Sequence, residues 1–318
     1  MSLHVRVIAV VLSSLSHRIK HCVYAGARPR VKPSSHLPPG LSYYNAAMPE
    51  LPEVETIVRS CRPRLVGRRI VAFHSRWRKN VAPSLPAARR AIVGRRITAL
   101  TRRAKLIVFR LDDGGCLLVH LRMSGRLEWA DDHSPEPRHV RATWDLDDGQ
   151  RLLFCDARKF GRILYTRDLA AATADLGPEP LERGFTPAKL GHLLQRRRRQ
   201  LKPLLLDQSV IAGLGNIYTD EALFLAGLHP TIRSDALNET NIRRLHQAIR
   251  DVLKLAIRHH GTSLDWIYPG GWMQERLLVY GRAGEPCRRC GTPIVALRIA
   301  QRGTHICPRC QNGVTQRG

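Results

Sequence analysis

Four cysteines near the C-terminus constrain the fold of this chain more than any other sequence feature. They form two CxxC pairs, Cys287 with Cys290 and Cys307 with Cys310, separated by a segment long enough for a β-hairpin. A hairpin that brings the two pairs together gives tetrahedral four-cysteine coordination of Zn²⁺. Because four protein ligands leave no open position, we expect one structural zinc ion that orders a domain too small to have its own core. Four unpaired thiols are the alternative, and this spacing disfavours them.

The other four cysteines are scattered, and three of them lie in apolar surroundings: Cys22, Cys61, Cys116 and Cys155. We interpret them as reduced, mostly buried thiols rather than as a secreted disulfide framework. No apolar run of the sequence is long enough to span a membrane.

The charge balance indicates a polyanionic partner. The chain has 52 Lys and Arg against 26 Asp and Glu, a formal net charge of +26. A high-GC genome would explain the preference for arginine over lysine, but not the shortage of acids. Nucleic acid is the partner that this charge favours. No oligomerising signal is evident, so we expect a monomer.

The composition divides the chain into an N-terminal extension and three domains. Residues 1–47 contain no acidic residue and have a Pro/Ser/Gly-rich second half. They are open to interpretation as a weak secretory signal, an organelle transit peptide, or sequence upstream of the true start. We favour the last interpretation and exclude this segment from the mature fold. The domains that we predict are residues 48–175, 176–275 and 276–318.

Periodicity predicts a multidomain α+β protein. A helix is expected from Pro49, ended by Pro63 and Gly67, and an antiparallel β-sandwich over 69–166. Beyond the linker at 176–180 the pattern is helical, with helices at 187–196, 219–226 and 241–260, the last capped by Thr240. The predicted strands are 70–74, 97–101, 106–111, 116–121, 141–146, 151–155 and 163–166.

A glycine-rich turn, Ile211 to Tyr218, precedes one predicted helix. Its glycines permit backbone N–H groups to be exposed at a helix N-terminus, a geometry that binds phosphate. The basic residues Arg196–Arg199 and Lys202 lie just upstream. We therefore expect a phosphate site here, with a solvated basic surface as the alternative.

Met48-Pro49 has the form of a translation start. Removal of the methionine would leave a free N-terminal proline, a secondary amine with an α-amino pKa of about 8 that can act as a nucleophile. Within a longer chain the same nitrogen is an amide without basicity. We therefore expect the working protein to begin at Pro49.

Several motifs occur together in a fixed order, and together they resemble the bacterial formamidopyrimidine-DNA glycosylases of the formamidopyrimidine/endonuclease VIII family. The resemblance extends from Met48 to about Gln311. It implies an N-terminal β-sandwich, a helix–two-turn–helix domain and a C-terminal zinc finger with four cysteine ligands. Its motifs are PELPEVE at 49–55, RAK at 103–105, HLRMSG at 120–125, DARKFG at 156–161, GLGNIY at 213–218, VYGR at 279–282 and the cysteine hairpin.

The resemblance implies a mechanism. The Pro49 nitrogen would attack the sugar C1′ of a damaged nucleotide and displace the base, forming an iminium that allows β- and then δ-elimination. Glu50 would be the proton shuttle. Lys105 would help to position the lesion and its phosphate, although a strand-end lysine is more commonly solvent-facing. Arg302 would serve δ-elimination and phosphate binding.

The resemblance also implies DNA contacts. The nucleotide must be flipped out of the duplex, and Met123, Arg158 and Phe160 match the residues that fill the void. Without the resemblance, Met123 and Phe160 would be predicted as core residues. His139, Lys202 and Asn216 match contacts to the DNA backbone.

Three positions depart from the family pattern. Arg122 lies where many relatives have glycine, and Lys159 lies where arginine is usual. The stretch 262–280 is shorter than the family loop that closes over 8-oxoguanine, and it contains a compact aromatic run at 266–272.

We therefore predict a DNA glycosylase with AP lyase activity that excises oxidised purines, 8-oxoguanine and formamidopyrimidines, from double-stranded DNA in the bacterial cytoplasm. One alternative is an endonuclease VIII-type enzyme for oxidised pyrimidines. The other is a non-catalytic zinc-dependent protein that binds damaged DNA, which would follow if residues 1–47 were retained.

Overall fold

A computed structural model describes residues 48–130, 135–262 and 271–312. These residues form seven α-helices, eleven strands and three short 3₁₀ turns. The helices are α1 Leu51–Leu65, α2 Leu85–Ile92, α3 Leu169–Ala172, α4 Pro187–Gln195, α5 Leu201–Leu205, α6 Asn216–Ala226 and α7 Glu239–Arg258. The strands are β1 Ile70–Ser75, β2 Val81–Ala82, β3 Ile97–Arg103, β4 Leu106–Leu111, β5 Cys116–His120, β6 Gly125–Trp129, β7 Val140–Leu146, β8 Arg151–Asp156, β9 Arg162–Thr166, β10 Val295–Ile299 and β11 Arg302–Ile306.

Helix α1 joins two hydrophobic cores. Leu51 at its N-terminus packs with the helical part of the chain, whereas the stripe from Val54 to Leu65 packs inside the β-sandwich. Pro63 lies within the last turn instead of ending the helix, because the fully buried Leu65 holds that turn in the core. The N-terminus of α1 is therefore fixed at the junction of the two cores.

The predicted β-sandwich is confirmed. One sheet has the order β1-β7-β8-β6 and the other β2-β9-β5-β4-β3, with a parallel pair only at β2–β9 among the described strands. Trp144 of the first sheet stacks on Phe73 of the same sheet and on Phe109 of the second, with ring centroids 5.3 and 6.1 Å apart. These aromatic contacts form the centre of the interface between the sheets.

The sequence pattern missed three elements of this region, β2, β6 and α2. Ser84 caps α2 by accepting a hydrogen bond from the Ala87 N–H at 3.3 Å, and Pro86 lies in its first turn. Both are helix-start signals, but they are embedded among strands.

The helical part follows the predicted pattern with shifted starts. Helix α7 begins at Glu239, and its cap is Asn238 rather than Thr240, because the Asn238 Oδ1 accepts from the Asn241 N–H at 2.9 Å. Helix α6 begins at Asn216, one turn before the predicted start. This earlier start places the glycine-rich turn directly at the helix N-terminus.

The C-terminal hairpin pairs β10 with β11, from Val295 opposite Ile306 to Ile299 opposite Arg302. Its tip, Ala300-Gln301, has both residues at positive φ, the two-residue turn that matches the twist of a hairpin. Within the described ranges, none of the helices combines the length and apolarity needed to cross a membrane.

Candidate active site

The carboxylate of Glu50 caps the N-terminus of helix α6. Its Oε2 accepts from the Gly215 N–H at 2.7 Å and from the Tyr218 N–H at 3.4 Å, and its Oε1 accepts from the Ile217 N–H at 2.8 Å. The glycine-rich turn therefore does bind an anion at a helix N-terminus, but the anion is the protein's own carboxylate. The predicted phosphate site at these N–H groups is wrong for this reason.

Two glycines make this approach possible. A Cβ at Gly215 would lie 2.3 Å from the Glu50 Cδ, and a Cβ at Gly213 would lie 2.7 Å from a methyl group of Leu51. The Leu51 N–H also donates to the Gly213 carbonyl at 3.1 Å. The turn thus wraps closely around the first residues of α1, next to the buried Pro49.

Glu50 has an unusual protonation equilibrium. Its side chain is 2% exposed, and burial raises its pKa from 4.5 to about 7, with a further increase from Glu53. The positive charge of Lys105 and the backbone N–H groups of Ile217 and Gly215 oppose this rise in the pKa. Acid and carboxylate forms therefore coexist near neutral pH, as general acid–base catalysis requires.

Glu53 holds the surroundings of Glu50 in place. Its Oε2 accepts from the Glu50 N–H at 2.9 Å. Its Oε1 accepts from the Tyr218 hydroxyl and from the Thr262 N–H, the latter at 2.8 Å. This buried acid links α1, α6 and the chain after α7. The sequence analysis assigned no role of its own to Glu53.

Lys105 lies in the tight turn between β3 and β4. Ala104 has a φ of +53°, and the buried Glu179 fixes this turn by accepting from the Ala104 N–H and pairing with Arg102 at 2.7 Å and Arg103 at 3.1 Å. Strained backbone of this kind persists where the surroundings determine it. The predicted linker therefore contributes an anchor to the site through Glu179.

The Lys105 ammonium lies in the same electrostatic site as Glu50. Burial lowers its pKa, and Glu50 and Glu53 oppose this change, whereas Arg302 and Arg122 lower the pKa further. Lys105 thus lies within electrostatic reach of both Glu50 and Arg302, the residues that the sequence interpretation placed with it in catalysis. Lys105 lies just before β4, Glu50 directly precedes α1, and Arg302 begins β11.

The four hairpin cysteines fit a structural zinc ion. Their sulfur atoms all lie within 4.8 Å of one another, and Cys290 Sγ is 3.5 Å from both Cys307 Sγ and Cys310 Sγ. Tetrahedral coordination with zinc–sulfur bonds of about 2.3 Å requires sulfurs roughly 3.8 Å apart. Residues Cys287, Cys290, Cys307 and Cys310 therefore hold one Zn²⁺, as predicted, and the ion stabilises the hairpin that carries Arg302.

Lys202 is not at the surface. Its side chain is fully buried, and its Nζ pairs with Asp220 Oδ1 at 2.6 Å and donates to the Gly303 carbonyl and the Thr304 hydroxyl, each at 2.8 Å. The ammonium group is therefore held inside the protein by one ion pair and two hydrogen bonds. The contact to the DNA backbone expected of Lys202 stays a prediction.

Asn216 shares a partner with Lys202. Its Nδ2 donates to the Gly303 carbonyl at 2.9 Å. Gly303 directly follows Arg302, so Lys202 and Asn216 together hold the hairpin tip against helix α6. The Arg302 side chain itself is exposed, so it can contact a ligand.

The loop of residues 157–161, here called the wedge loop, presents Arg158 and Phe160 outward. Phe160 is 42% exposed, and the Arg158 guanidinium lies 4.9 Å from its ring centroid. Phe160 is therefore not a core residue. Met123 is half-buried, and its neighbour Ser124 donates to the carboxylate of Asp156.

Asp156 organises the wedge loop. This buried carboxylate accepts from the Arg158 N–H at 3.2 Å through Oδ1 and from the Gly161 N–H at 2.7 Å through Oδ2. The sequence interpretation named no role for Asp156. The sequence contained one signal for this role, because an acid in a strongly basic chain is a candidate for positioning basic loops.

Two histidines lie near these loops. Burial, with the charges of Arg122 and Lys105, lowers the pKa of His120 to about 3, and its Nδ1 accepts from the Arg122 N–H at 3.0 Å. The pKa of His139 is also lowered, mainly by burial and secondly by the charge of Arg141. Both rings are therefore neutral at neutral pH.

Family comparisons agree with this architecture. The family model of the formamidopyrimidine-DNA glycosylase N-terminal domain matches residues 48–163, and that of the glycosylase H2TH domain matches residues 176–266. The zinc finger found in these glycosylases and in IleRS matches residues 284–313.

Similar proteins cover the same span. Formamidopyrimidine-DNA glycosylase of Chloroflexus aurantiacus is 49% identical over 271 residues, 83% of this chain and 98% of that protein. The Latilactobacillus sakei glycosylase is 40% identical over 272 residues, again 83% of this chain and 98% of that protein.

Solved structures show the same fold. MutM in complex with DNA containing carbocyclic 8-oxo-G has a TM-score of 0.79 at 36% identity, over 83% of this chain and all of that one. Lactococcus lactis formamidopyrimidine-DNA glycosylase bound to abasic-site DNA has a TM-score of 0.78 at 36% identity, over 83% and 99%.

A β-sandwich, a helix–two-turn–helix region and a four-cysteine hairpin that meet at an acid–base site define a DNA glycosylase. The chain belongs to the formamidopyrimidine-DNA glycosylase family. These relatives do not favour the endonuclease VIII-type or the non-catalytic alternative.

Proposed function

We propose that this chain excises oxidised purines from double-stranded DNA and then cleaves the strand at the resulting abasic site. The observation that carries the proposal is the position of Glu50. Directly after Pro49, a buried carboxyl with a pKa of about 7 is held by the N-terminus of α6 within electrostatic reach of Lys105. Charge alone would indicate DNA binding, but it would not place a proton shuttle beside a potential amine nucleophile.

The nucleophile of the proposed reaction is the Pro49 nitrogen. It forms a bond to the sugar C1′ while the bond from C1′ to the damaged base breaks, and the base leaves with a proton. After the nitrogen has lost its proton, its lone pair forms the C=N bond of an iminium while the C1′–O4′ bond breaks and O4′ takes up a proton. The iminium withdraws electrons, so that loss of a C2′ proton expels the 3′-phosphate by β-elimination and loss of a C4′ proton then expels the 5′-phosphate by δ-elimination. In the 318-residue chain this nitrogen is an amide, so the proposal requires that the working form begins at Pro49.

Glu50 moves the protons in this scheme. In its protonated form it can donate to a leaving or ring-opening oxygen, and in its ionised form it can accept the proton that elimination releases. Lys105 and Arg302 supply positive charge for the phosphates that flank the lesion. Because Arg302 sits on the zinc hairpin, the zinc ion supports catalysis indirectly by fixing this residue.

The flipped nucleotide leaves a gap in the duplex. We assign its filling to Met123, Arg158 and Phe160, since an exposed aromatic ring, a guanidinium and a flexible apolar side chain can replace stacking and pairing. His139 and Asn216 remain candidates for contacts to the DNA backbone. An enzyme of this kind works where the genome is, which in a bacterium is the cytoplasm.

One experiment tests the nucleophile. Two forms of the protein, one expressed from Met48 and one with all 318 residues, are incubated with abasic-site DNA and borohydride, and the N-terminus of each is determined by mass spectrometry. We expect a covalent DNA adduct on chains that begin at Pro49, and no adduct on chains that retain residue 1. An adduct on the intact 318-residue chain, or none on either, would refute the role of Pro49.

A second experiment tests the base. Excision is compared on duplexes that carry 8-oxoguanine or thymine glycol. We expect 8-oxoguanine to be removed faster. The aromatic run at 266–272, which departs from the family loop, lies largely outside the described residues. Faster removal of thymine glycol would favour the endonuclease VIII-type alternative instead.

A further inference from the structure

Trp77 lies beside the wedge loop although nothing in the proposed mechanism uses it. The Lys159 Nζ is 4.7 Å from the centroid of the Trp77 ring, within the range of a cation–π contact. Lys159 is the wedge-loop residue between Arg158 and Phe160. It is also one of the positions that departs from the family pattern.

The sheet topology explains why these residues meet. Strands β1 and β8 both pair antiparallel with β7, so they run in the same direction and the loops after them leave the same end of the sheet. These two loops then enter β2 and β9, which pair in parallel from Val81 opposite Ile163. The segment 76–80 therefore runs alongside the wedge loop.

Trp77 is well placed to act as an anchor. Its N–H donates to the Ser75 Oγ at 3.2 Å, its carbonyl accepts from the Asn80 N–H at 3.0 Å, and the preceding Arg76 N–H donates to the Arg141 carbonyl at 2.8 Å. Its side chain is half-buried. Hydrogen bonds on both sides of Trp77 therefore hold the backbone that carries the ring.

The wedge loop needs such an anchor. Lys159 adopts a φ of +62°, a conformation that costs a non-glycine residue free energy unless a contact favours it. Its two neighbours are exposed, so their positions depend on the backbone of this residue. Asp156 fixes the base of the loop, because its carboxylate accepts from the N–H groups of Arg158 and Gly161 on either side of the centre.

We propose that Trp77 is a positioning residue that holds Lys159 through a cation–π contact and so keeps Arg158 and Phe160 ready to enter the duplex. The inference rests on the proposed function, because it concerns the step in which the wedge replaces the flipped nucleotide. Ordering the loop before DNA binds lowers the entropic cost of inserting it.

The test compares two substrates. Duplex DNA with 8-oxoguanine requires the wedge, whereas single-stranded DNA with an abasic site has no opposite strand and no gap to fill. For Trp77→Leu and Lys159→Met we expect the ratio of duplex to single-strand kcat/KM to fall about two- to fivefold. The double variant should lose no more than either single variant, because both remove the same contact.

Matched variants make the result specific. Lys79 is an exposed lysine whose Nζ lies farther from the same ring, at 5.9 Å, near the limit of a cation–π contact. Lys79→Met removes an equal charge from the same segment and should lower the ratio less than Lys159→Met does. Trp77→Phe and Lys159→Arg keep an aromatic face and a cation, and they should retain most of the ratio. A fluorescent base opposite the lesion should report slower wedge insertion in Trp77→Leu and Lys159→Met.

Several results would overturn the inference. These are an unchanged ratio in both single variants, additive losses in the double variant, or an equal loss in Lys79→Met. If Trp77→Leu fails to fold, the exposed Lys159→Met still decides the question. An inactive wild type on both substrates would instead refute the proposed function, so the two failures are distinguishable.

Discussion

Gly215→Ala tests how strictly catalysis depends on the position of the Glu50 carboxylate. The backbone of Gly215 is extended, at φ −135° and ψ −161°, so alanine can adopt it without strain. The added Cβ would lie 2.3 Å from Glu50 Cδ and 2.5 Å from Oε1, where ordinary contacts begin at 3.4 Å. The effect of the substitution is therefore transmitted through Glu50.

The expected size of the effect of Gly215→Ala on the rate follows from these distances. The Glu50 carboxylate must move by about 1 Å to relieve the overlap, which stretches hydrogen bonds that now measure 2.7 and 2.8 Å beyond useful length. A misplacement of about 1 Å in a catalytic group can cost on the order of 100-fold in rate. Overpacking at a buried site lowers the free energy of unfolding by about 1–3 kcal/mol.

The assay is single-turnover excision of 8-oxoguanine, with urea unfolding and DNA affinity measured in parallel. We expect a rate decrease of about 100-fold in a folded protein, with little change in affinity for undamaged DNA. The control is Gly184→Ala, since a Cβ there would meet no described atom within 4 Å and the backbone is not left-handed. A folded Gly215→Ala protein with the wild-type rate would refute the reasoning.

Three further outcomes are expected. Because burial raises the pKa of Glu50 from 4.5 to about 7, its protonation stabilises the fold below about pH 4.5, and this contribution is lost as the pH rises through 7. The free energy of unfolding, measured with urea, should therefore decrease more between pH 5 and pH 8 for the wild type than for Glu50→Gln. Equal decreases in the two proteins would contradict this. Lys202→Met removes the lysine charge beside the buried Asp220 carboxylate, which keeps its hydrogen bond from the His305 N–H at 2.9 Å, so the free energy of unfolding should fall by about 3–5 kcal/mol. Adding Asp220→Asn should recover part of this loss, and a normal unfolding midpoint would show that the pair is not buried in solution. Removal of zinc by a chelator, or Cys310→Ser, should lower the melting temperature and abolish strand cleavage, and retained cleavage by zinc-free protein would rule out the structural role of the ion.

Several features could be predicted because they depend on residues close in sequence. The zinc ligands follow from two CxxC spacings, and alternating apolar residues with Asp-Gly turns predict the antiparallel strands. Prediction from local signals failed where helix and strand signals lie close together. Helix α2 was missed because its Ser84 cap lies among strands. At α7 both Asn238 and Thr240 are acceptable caps, and only the backbone geometry selects Asn238.

Long-range contacts decided the active site. The hydrogen bond from Gly215 to Glu50 joins residues 165 positions apart, and no periodicity or spacing encodes such a pair. The same is true of Lys202, which resembles part of a basic surface until Asp220 and Thr304 are found around its ammonium group. A charged side chain is accessible or buried according to which distant segments pack against it.

The sequence by itself determined the class of fold, the zinc site and the order of the motifs, because each depends on spacings within a few residues or on the hydrophobic pattern of single elements. Only the tertiary structure decided that the glycine-rich turn binds Glu50 rather than a phosphate, that Lys202 supports the hairpin, and that Trp77 meets Lys159. The first two outcomes depend on how α1, α6 and the zinc hairpin converge, and the third depends on the sheet topology that brings the loops after β1 and β8 together. Burial at the junction of α1 and α6 is also what shifts the pKa of Glu50 toward neutrality.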